Sequence, residues 1–286
     1  MIFVSSSCVK ANTIKEAIER LYQAGFKNIE LSGGTTPYPH LVQDLIGLRS
    51  KHGINFLLHN YFPPPPIPFV LNIASLNDKI HQMSVAHIKE AIDLSKQLGI
   101  DRYGFHAGFR LDIPLDQVGK KLDKLPLFDE KTAYRTFLET LKHLQAYAGE
   151  AFNLYVENNV LSKANAHTYQ PANPLFLTCQ EDYELLYQQT AVKLLLDVAH
   201  LKVSTNVLGL DFEKELLHLH HLSDYIHVSD NDGWFDTNQA LRKGSKLYEQ
   251  LQQLSWENKI ITLEVYEEIN ALISSYENIL LIANGH

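Results

Sequence analysis

The sequence predicts a single α/β domain folded as a (β/α)8 TIM barrel over residues 1–286. Short apolar runs alternate with longer helix-periodic segments from one end of the chain to the other, the signature of a parallel sheet with helical crossovers. Eight such runs can be marked, the number that closes the sheet on itself. No glycine-rich GxGxxG or phosphate loop follows the first run, which argues against an open, doubly wound sheet. A length of 286 residues suits one closed barrel.

In chain order the runs are IFVS (2–5), NIELS (28–32), NFLLHN (55–60), RYGFHAG (102–108), NLYVENN (153–159), KLLLDVAH (193–200), DYIHVSDN (224–231) and IITLEVY (260–266). Helical spacing marks Thr13–Gln23, Asn77–Leu98, Lys131–Ala148 and Asp211–Leu222 between them. Thr13 and Glu16 stand at the spacing of a capping box at the start of the first. Pro63–Pro66 is a stiff stretch that can join neither a helix nor a central strand, and it reads as a loop. No internal repeat, low-complexity tail or domain boundary interrupts the pattern.

Composition narrows the partners. Acids outnumber bases, 33 to 25, for a net charge of −8, and no stretch gathers the lysines and arginines into a stripe. That disfavours a nucleic-acid partner without excluding one, since a metal can meet phosphate where arginines are missing. Cys8 and Cys179 form no CxxC pair, so they read as reduced thiols rather than a disulfide or a thiolate zinc site. The N-terminus MIFVSSSCVKANT lacks the basic flank and long apolar core of a signal peptide, and no later run reaches membrane-spanning length. The expectation is a soluble, cytoplasmic protein that does not engage a membrane; assembly as a homo-oligomer stays open.

The runs end in unusual residues. Glu30, His59, His106, Glu157, Asp197, His227 and Glu264 lie near the C-terminal ends of seven of the eight. With 33 acids and 14 histidines among 286 residues, chance places only about one or two there. A barrel brings all its strand ends to one face, where active sites sit. Carboxylates and imidazoles converging there would repel or protonate one another unless a cation held them, so a divalent metal is the economical explanation. Oxygen and nitrogen donors without thiolate suit manganese, cobalt, magnesium, zinc or iron. Asp197 is expected charged at the barrel mouth, with His200 on the loop just beyond it.

Simpler roles exist for several of these residues. Glu30 can bond backbone amides in the first strand-to-helix loop, and His59 and His106 can be hydrogen-bonded rim histidines. His218, His220 and His221 in HLHHLSD read as a solvated helix face. Asp230 and Asp232 in SDNDGW are good turn formers as well as acids. Trp234 and Tyr266 can stack on a sugar ring or cover the mouth.

Taken in order, FVLNIAS before the third helix, LLHN and FHAG at strands three and four, VENN at strand five, LDVAH at strand six, HVSDNDG at strand seven and LEVY at strand eight resemble the xylose isomerase-like TIM-barrel superfamily. That group holds sugar isomerases and epimerases and also the endonuclease IV group, and the similarity covers essentially the whole chain. In its ketose 3-epimerase branch the pattern Glu, Asp, His, Glu on strands five to eight falls on Glu157, Asp197, His227 and Glu264. The resemblance implies that these four bind one divalent ion while the two glutamates act as acid and base on a small ketose, polyol-type sugar or related hydroxy-carbonyl compound, through an enediolate. His200 would hold a substrate oxygen, with Asp236, Trp234 and Asn60 as further substrate contacts.

In the endonuclease branch, histidines on strands three and four, the histidine after the strand-six aspartate and a DxH pair after strand seven complete a three-metal phosphodiesterase. His59, His106 and His200 match, the first two as ligands of a second ion. The DxH pair does not: the candidates are Asp236-Thr237-Asn238 or Asn238-Gln239-Ala240, and both lack the histidine. Arg102, Arg110 and Arg242 are thin provision for a phosphate backbone. The implied activity is therefore an isomerase or epimerase, with a phosphodiesterase acting at abasic sites in DNA as the alternative. A metal-holding barrel without turnover is a second alternative, disfavoured because both glutamates are present.

Overall fold

The computed structural model describes residues 1–285. Eight strands, β1 (Ile2–Ser5), β2 (Asn28–Leu31), β3 (Asn55–Leu58), β4 (Arg102–His106), β5 (Asn153–Glu157), β6 (Lys193–Asp197), β7 (Tyr225–Val228) and β8 (Ile260–Leu263), fall within the eight apolar runs. They pair in parallel in the order β3-β2-β1-β8-β7-β6-β5-β4. A parallel bridge between His59 and Gly104 joins the two ends, so the sheet is a nearly closed barrel. The helices are α1 (Ile14–Gln23), α2 (Leu41–His52), α3 (Asp78–Gln97), α4 (Glu130–Ala148), α5 (Lys163–Tyr169), α6 (Gln180–Thr190), α7 (Val198–Leu208), α8 (Phe212–Leu222), α9 (Lys246–Leu251) and α10 (Ile269–Ala283). This is a single-domain (β/α)8 TIM barrel.

Local chemistry sets the helix starts. Thr13 and Glu16 form the expected capping box of α1. Asn77, Asp129 and Asp211 cap α3, α4 and α8 through their side chains, which satisfies backbone N–H groups that would otherwise lack partners. The proline run 63–66 lies in the loop between β3 and α3, outside any helix or strand, as expected. Among the described residues no helix is long and apolar enough to cross a membrane. Both cysteines are free, Cys8 buried and Cys179 half-buried.

Strand alternation decides what faces the barrel axis. Tyr155, Leu195 and Tyr225 stand two residues before Glu157, Asp197 and His227 and point the same way. The rings of Tyr155 and Tyr225 meet edge to face at 5.2 Å, forming an apolar floor beneath the polar strand ends. Gly104 completes this floor by omission. A Cβ there would lie 2.5 Å from Leu195 Cδ1 and 3.6 Å from both the His59 and Tyr225 rings.

Asparagines in the loops above the floor serve as ties. Asn72 Nδ2 donates to the carbonyls of Phe109 and Leu111, and its Oδ1 accepts from the N–H groups of Ala74 and Phe109. Asn159 Nδ2 donates to the carbonyls of Ala107, Gly108 and Phe176. Asn158 brackets Asp197, accepting from its N–H at 2.7 Å and donating to its carbonyl at 2.9 Å. Each buried amide replaces backbone pairing that irregular loops cannot supply for themselves. The FVLNIAS and VENN motifs thus carry scaffold roles that the sequence reading did not identify.

Candidate metal centre

All seven strand-end residues meet at the C-terminal face, and six of them are buried, with only His106 half-buried. Glu157 is the hub. Its Oε2 lies 2.7 Å from His59 Nε2 and 3.2 Å from His106 Nδ1. Its Oε1 lies 3.5 Å from His227 Nδ1 and 3.8 Å from His200 Nδ1. His227 Nδ1 is also 3.9 Å from Glu264 Oε1. Donor atoms of Glu157, Asp197 and His227 approach one another closely enough to share one ion, as do those of His59, His106 and Glu157, and those of Glu30, His59, His227 and Glu264.

Whether the residues fit a metal can be judged from their unmet bonding. Twelve buried side-chain polar atoms among the described residues lack a hydrogen-bond partner, and six belong here: Glu30 Oε1, His106 Nδ1, Glu157 Oε1, both ring nitrogens of His227 and Asp236 Oδ1. Such atoms are costly unless something else satisfies them. The donors are carboxylate oxygens and imidazole nitrogens without thiolate, a set that suits divalent cations of the first transition row. The cluster fits a divalent ion.

The electrostatics agree. Burial pushes the Asp197 carboxyl up to about 7, with His200 opposing and the charges of Glu157 and Asp236 adding to the rise. Glu264 is likewise raised by burial, against the pull of His227 and His59. Burial also works against ionised Glu157, but the imidazoles of His106, His59 and His227 outweigh it and hold this carboxyl well below its usual range. Burial holds His106 near 4 and neutral. Burial alone would lower His227 and His200, but the carboxylates of Glu30 and Glu264 around the first, and of Asp197 and Asp236 around the second, raise both well above the ordinary histidine value. Protons on His227 and His200 thus offset part of the clustered carboxylate charge.

The remaining expected residues fall around this centre. His200 lies in the first turn of α7 rather than on a loop, because Asp197 itself caps that helix by accepting from the His200 N–H at 2.7 Å. The His200 ring donates from Nδ1 to the Asn158 carbonyl at 2.8 Å and faces Asp236 Oδ2 with Nε2 at 3.3 Å. This settles the register after β7: Asp236 is the acid beside His200. Asn238 takes a positive φ of 45° and accepts from Ser229 Oγ at 3.1 Å, tied into its own loop.

Trp234 sits partly exposed on the same loop, its backbone N–H donating to Asp232 Oδ1 and the Lys163 ammonium 4.3 Å above its ring. Asp232 is thus a turn former, whereas Asp230 pairs with Lys202 at 2.6 Å. The Tyr266 hydroxyl accepts from Ser7 Oγ, and the Glu264 charge beside it raises its pKa. Asn60 is buried at a φ of 44°; its carbonyl accepts from His87 and Tyr103, and its side-chain oxygen has no partner.

Two further expectations are corrected. His220 is buried, only 4% exposed, with its ring edge-on to Trp256 at 4.8 Å, so HLHHLSD is not uniformly a solvated face. Its position in α8 turns it onto the short segment before β8, a contact too distant in sequence to read locally. Glu30 bonds no backbone amides: its Oε2 accepts from the hydroxyls of Tyr225 and Thr262, and its Oε1 lies 3.0 Å from His227 Nε2.

The solved structures similar to this chain share its whole architecture. A D-tagatose 3-epimerase-like protein matches with a TM-score of 0.72 and 16% identity over 99% of this chain and 98% of its own. An L-ribulose 3-epimerase matches at 0.64 and 15% identity over 99% and 91%. A protein from Thermus thermophilus, whose structure was determined with zinc chloride soaking, matches at 0.61 and 17% identity over 100% and 98%. No curated protein sequence matches. The profile of one family spans residues 18–278, from the first helix to the last, and the chain belongs to that family, the xylose isomerase-like TIM barrels.

Proposed function

We propose that this protein is a metal-dependent isomerase or epimerase acting on a small ketose, a polyol-type sugar or a related hydroxy-carbonyl compound. The observation that carries the reading is the arrangement of Glu157 and Glu264, which both lie within 4 Å of one ring nitrogen of His227, with Asp197 beside them. Likeness in fold to sugar 3-epimerases along the full chain supports it.

Glu157, Asp197, His227 and Glu264 would hold the ion. When bound, a divalent ion supplies Lewis acidity that stabilises negative charge on substrate oxygens and so acidifies the intervening C–H. One glutamate then takes the carbon-bound proton and the other returns it. Their surroundings already split them: Glu157 is held ionised by imidazoles, and Glu264 holds a proton more readily. In this reading Glu157 would be the base and Glu264 the acid in one direction. His200, held by the Asn158 carbonyl, and Asp236 beside it would bind a substrate hydroxyl. Asn60 and the partly exposed Trp234 are further proposed contacts, Trp234 offering a ring face to the apolar side of a sugar.

A second reading, phosphodiester hydrolysis, is favoured by one observation: His59, His106 and Glu157 form a second group of donors able to hold an ion. The arginines speak against it. Arg102 begins β4 at the opposite end of the barrel and pairs with Asp101, Arg110 pairs with Glu130, and Arg242 pairs with Glu267. The deciding experiment incubates the manganese-loaded protein with a panel of ketoses and, separately, with abasic duplex DNA. Epimer formation supports the first reading, and strand cleavage without sugar turnover replaces it with the second.

A further inference from the structure

We infer that Cys8 is a positioning residue whose thiol holds the backbone on both sides of Glu264. The inference rests on the proposed reading of Glu264 as a metal ligand and proton carrier, and is independent of which substrate the site takes. β1 and β8 pair in register from Ile2 with Ile261 to Val4 with Leu263, where the ladder stops. The chain then leaves the sheet through a 3-10 turn, Ser6–Cys8, while the strand-eight backbone runs on through Glu264 and Val265. Val265 is completely buried, and no backbone carbonyl accepts from its N–H. Such a donor is costly unless something else pairs with it.

The Cys8 sulfur is its partner. It accepts from the Val265 N–H at 3.3 Å, and its own S–H donates to the Leu263 carbonyl at 3.4 Å. A thiol is a weak donor and a weak acceptor, so one small side chain can make both bonds. On the other flank the Glu264 N–H donates to the Val228 carbonyl of β7 at 3.2 Å. The backbone is therefore held at three successive residues, by one sulfur at Leu263 and Val265 and by β7 at Glu264 between them. The Glu264 carboxylate, which lies 3.9 Å from His227 Nδ1, projects from the middle of this held segment.

Two other roles for Cys8 explain less. It packs in the apolar core at 7% exposure, but packing alone asks for no atom able to bond Val265. Its sulfur joins none of the donor groups able to share an ion among the described residues, so it holds the Glu264 backbone rather than the ion. Burial raises the thiol well above its ordinary range, which keeps the proton on sulfur and the bond to Leu263 in place.

The test compares full-chain wild type, Cys8→Ala and Cys8→Ser, with circular dichroism confirming that each is folded. Both substitutions remove the sulfur and lose similar volume, but only serine restores a donor and an acceptor, so the pair separates bonding from packing. NMR follows hydrogen exchange of the Val265 amide in the metal-free proteins, and competition with a fluorescent chelator gives their manganese affinity. Faster Val265 exchange and weaker manganese binding in Cys8→Ala, each by roughly two- to tenfold, with recovery of both in Cys8→Ser, support the inference. Equal behaviour of the two variants, whether unchanged or equally impaired, overturns it, as does faster Val265 exchange with manganese affinity intact. If either variant fails to fold, the infrared S–H stretch of a Cys179→Ser protein, in which Cys8 is the remaining thiol, decides alone. A stretch lowered by hydrogen bonding supports the inference, and the frequency of a free thiol overturns it. Wild type that binds no manganese overturns the metal reading itself and this inference with it, an outcome distinct from the others.

Discussion

Stripping metal from this protein should make it less stable as the pH rises, the reverse of ordinary acid denaturation. Asp197 shows why. Its carboxyl is held up to about 7 in the fold. In the unfolded chain it returns to about 4. The folded state therefore binds the proton more tightly, and the resulting stabilisation is complete below about pH 4 and is lost as the pH climbs toward 7. About three units at about 1.4 kcal/mol each set a ceiling of about 4 kcal/mol.

His200 and His227, also raised in the fold, extend the loss: their contribution is present below about pH 6.5 and disappears as the pH rises through their folded values. Glu157, lowered in the fold, stays ionised throughout this range and adds no slope, while His106, held near 4 by burial, opposes the trend, costing stability below about pH 6.5 and nothing above it. A divalent cation takes the place of the lost protons, so metal should rescue most at high pH. Thermal melts at pH 5.5, 6.5 and 8, in chelator and in manganese, check this. At about 2–4 °C per kcal/mol, the gap between loaded and stripped protein should widen by up to about 10 °C between the lowest and highest pH. A gap that stays constant, or a stripped protein most stable at pH 8, would refute the reasoning.

Other perturbations test other parts of the account. Glu157→Gln and Glu264→Gln should each slow exchange of the substrate's carbon-bound proton by roughly 10²–10⁴-fold while the far-UV circular dichroism is retained, and near-normal turnover in either would end the two-base mechanism. Gly104→Ala forces a Cβ to within 2.5 Å of Leu195 Cδ1 and should cost about 1–3 kcal/mol in denaturant melts; an unchanged midpoint would mean that the floor is looser than described. Asn158→Ala removes both bonds to the Asp197 backbone and should cost about 1–3 kcal/mol and weaken metal binding, whereas normal metal affinity would show that Asp197 needs no such bracket.

The barrel was legible because its signals are local. Apolar runs such as KLLLDVAH and the Thr13–Glu16 spacing report their own structure: each strand formed inside its expected run, ending up to three residues before the run does, and the four helices marked from sequence formed within a residue of theirs. The strand-end acids and histidines were legible because closure of a parallel sheet makes sequence-distant strand ends neighbours. Roles that depend on a partner from another strand were not. Glu30 had no local mark to distinguish an amide-bonding loop acid from one that meets Tyr225, Thr262 and His227, which lie 195 or more residues further along the chain. His220 was misread for the same reason, since Trp256 covers it from a later segment. The position of His200 was missed by a single feature, the use of Asp197 as both strand end and helix cap.

The most direct test of the central claim is deuterium wash-in. The manganese-loaded protein is incubated with small ketoses in deuterated water, the metal is removed, and the sugar is read by proton NMR. Loss of one carbon-bound proton signal next to the carbonyl, seen with wild type and absent with Glu157→Gln and in excess chelator, is the result the account predicts. Wild-type protein that binds its metal through Glu157, Asp197, His227 and Glu264 yet exchanges no carbon-bound proton in any ketose, while cleaving a phosphodiester, would contradict it.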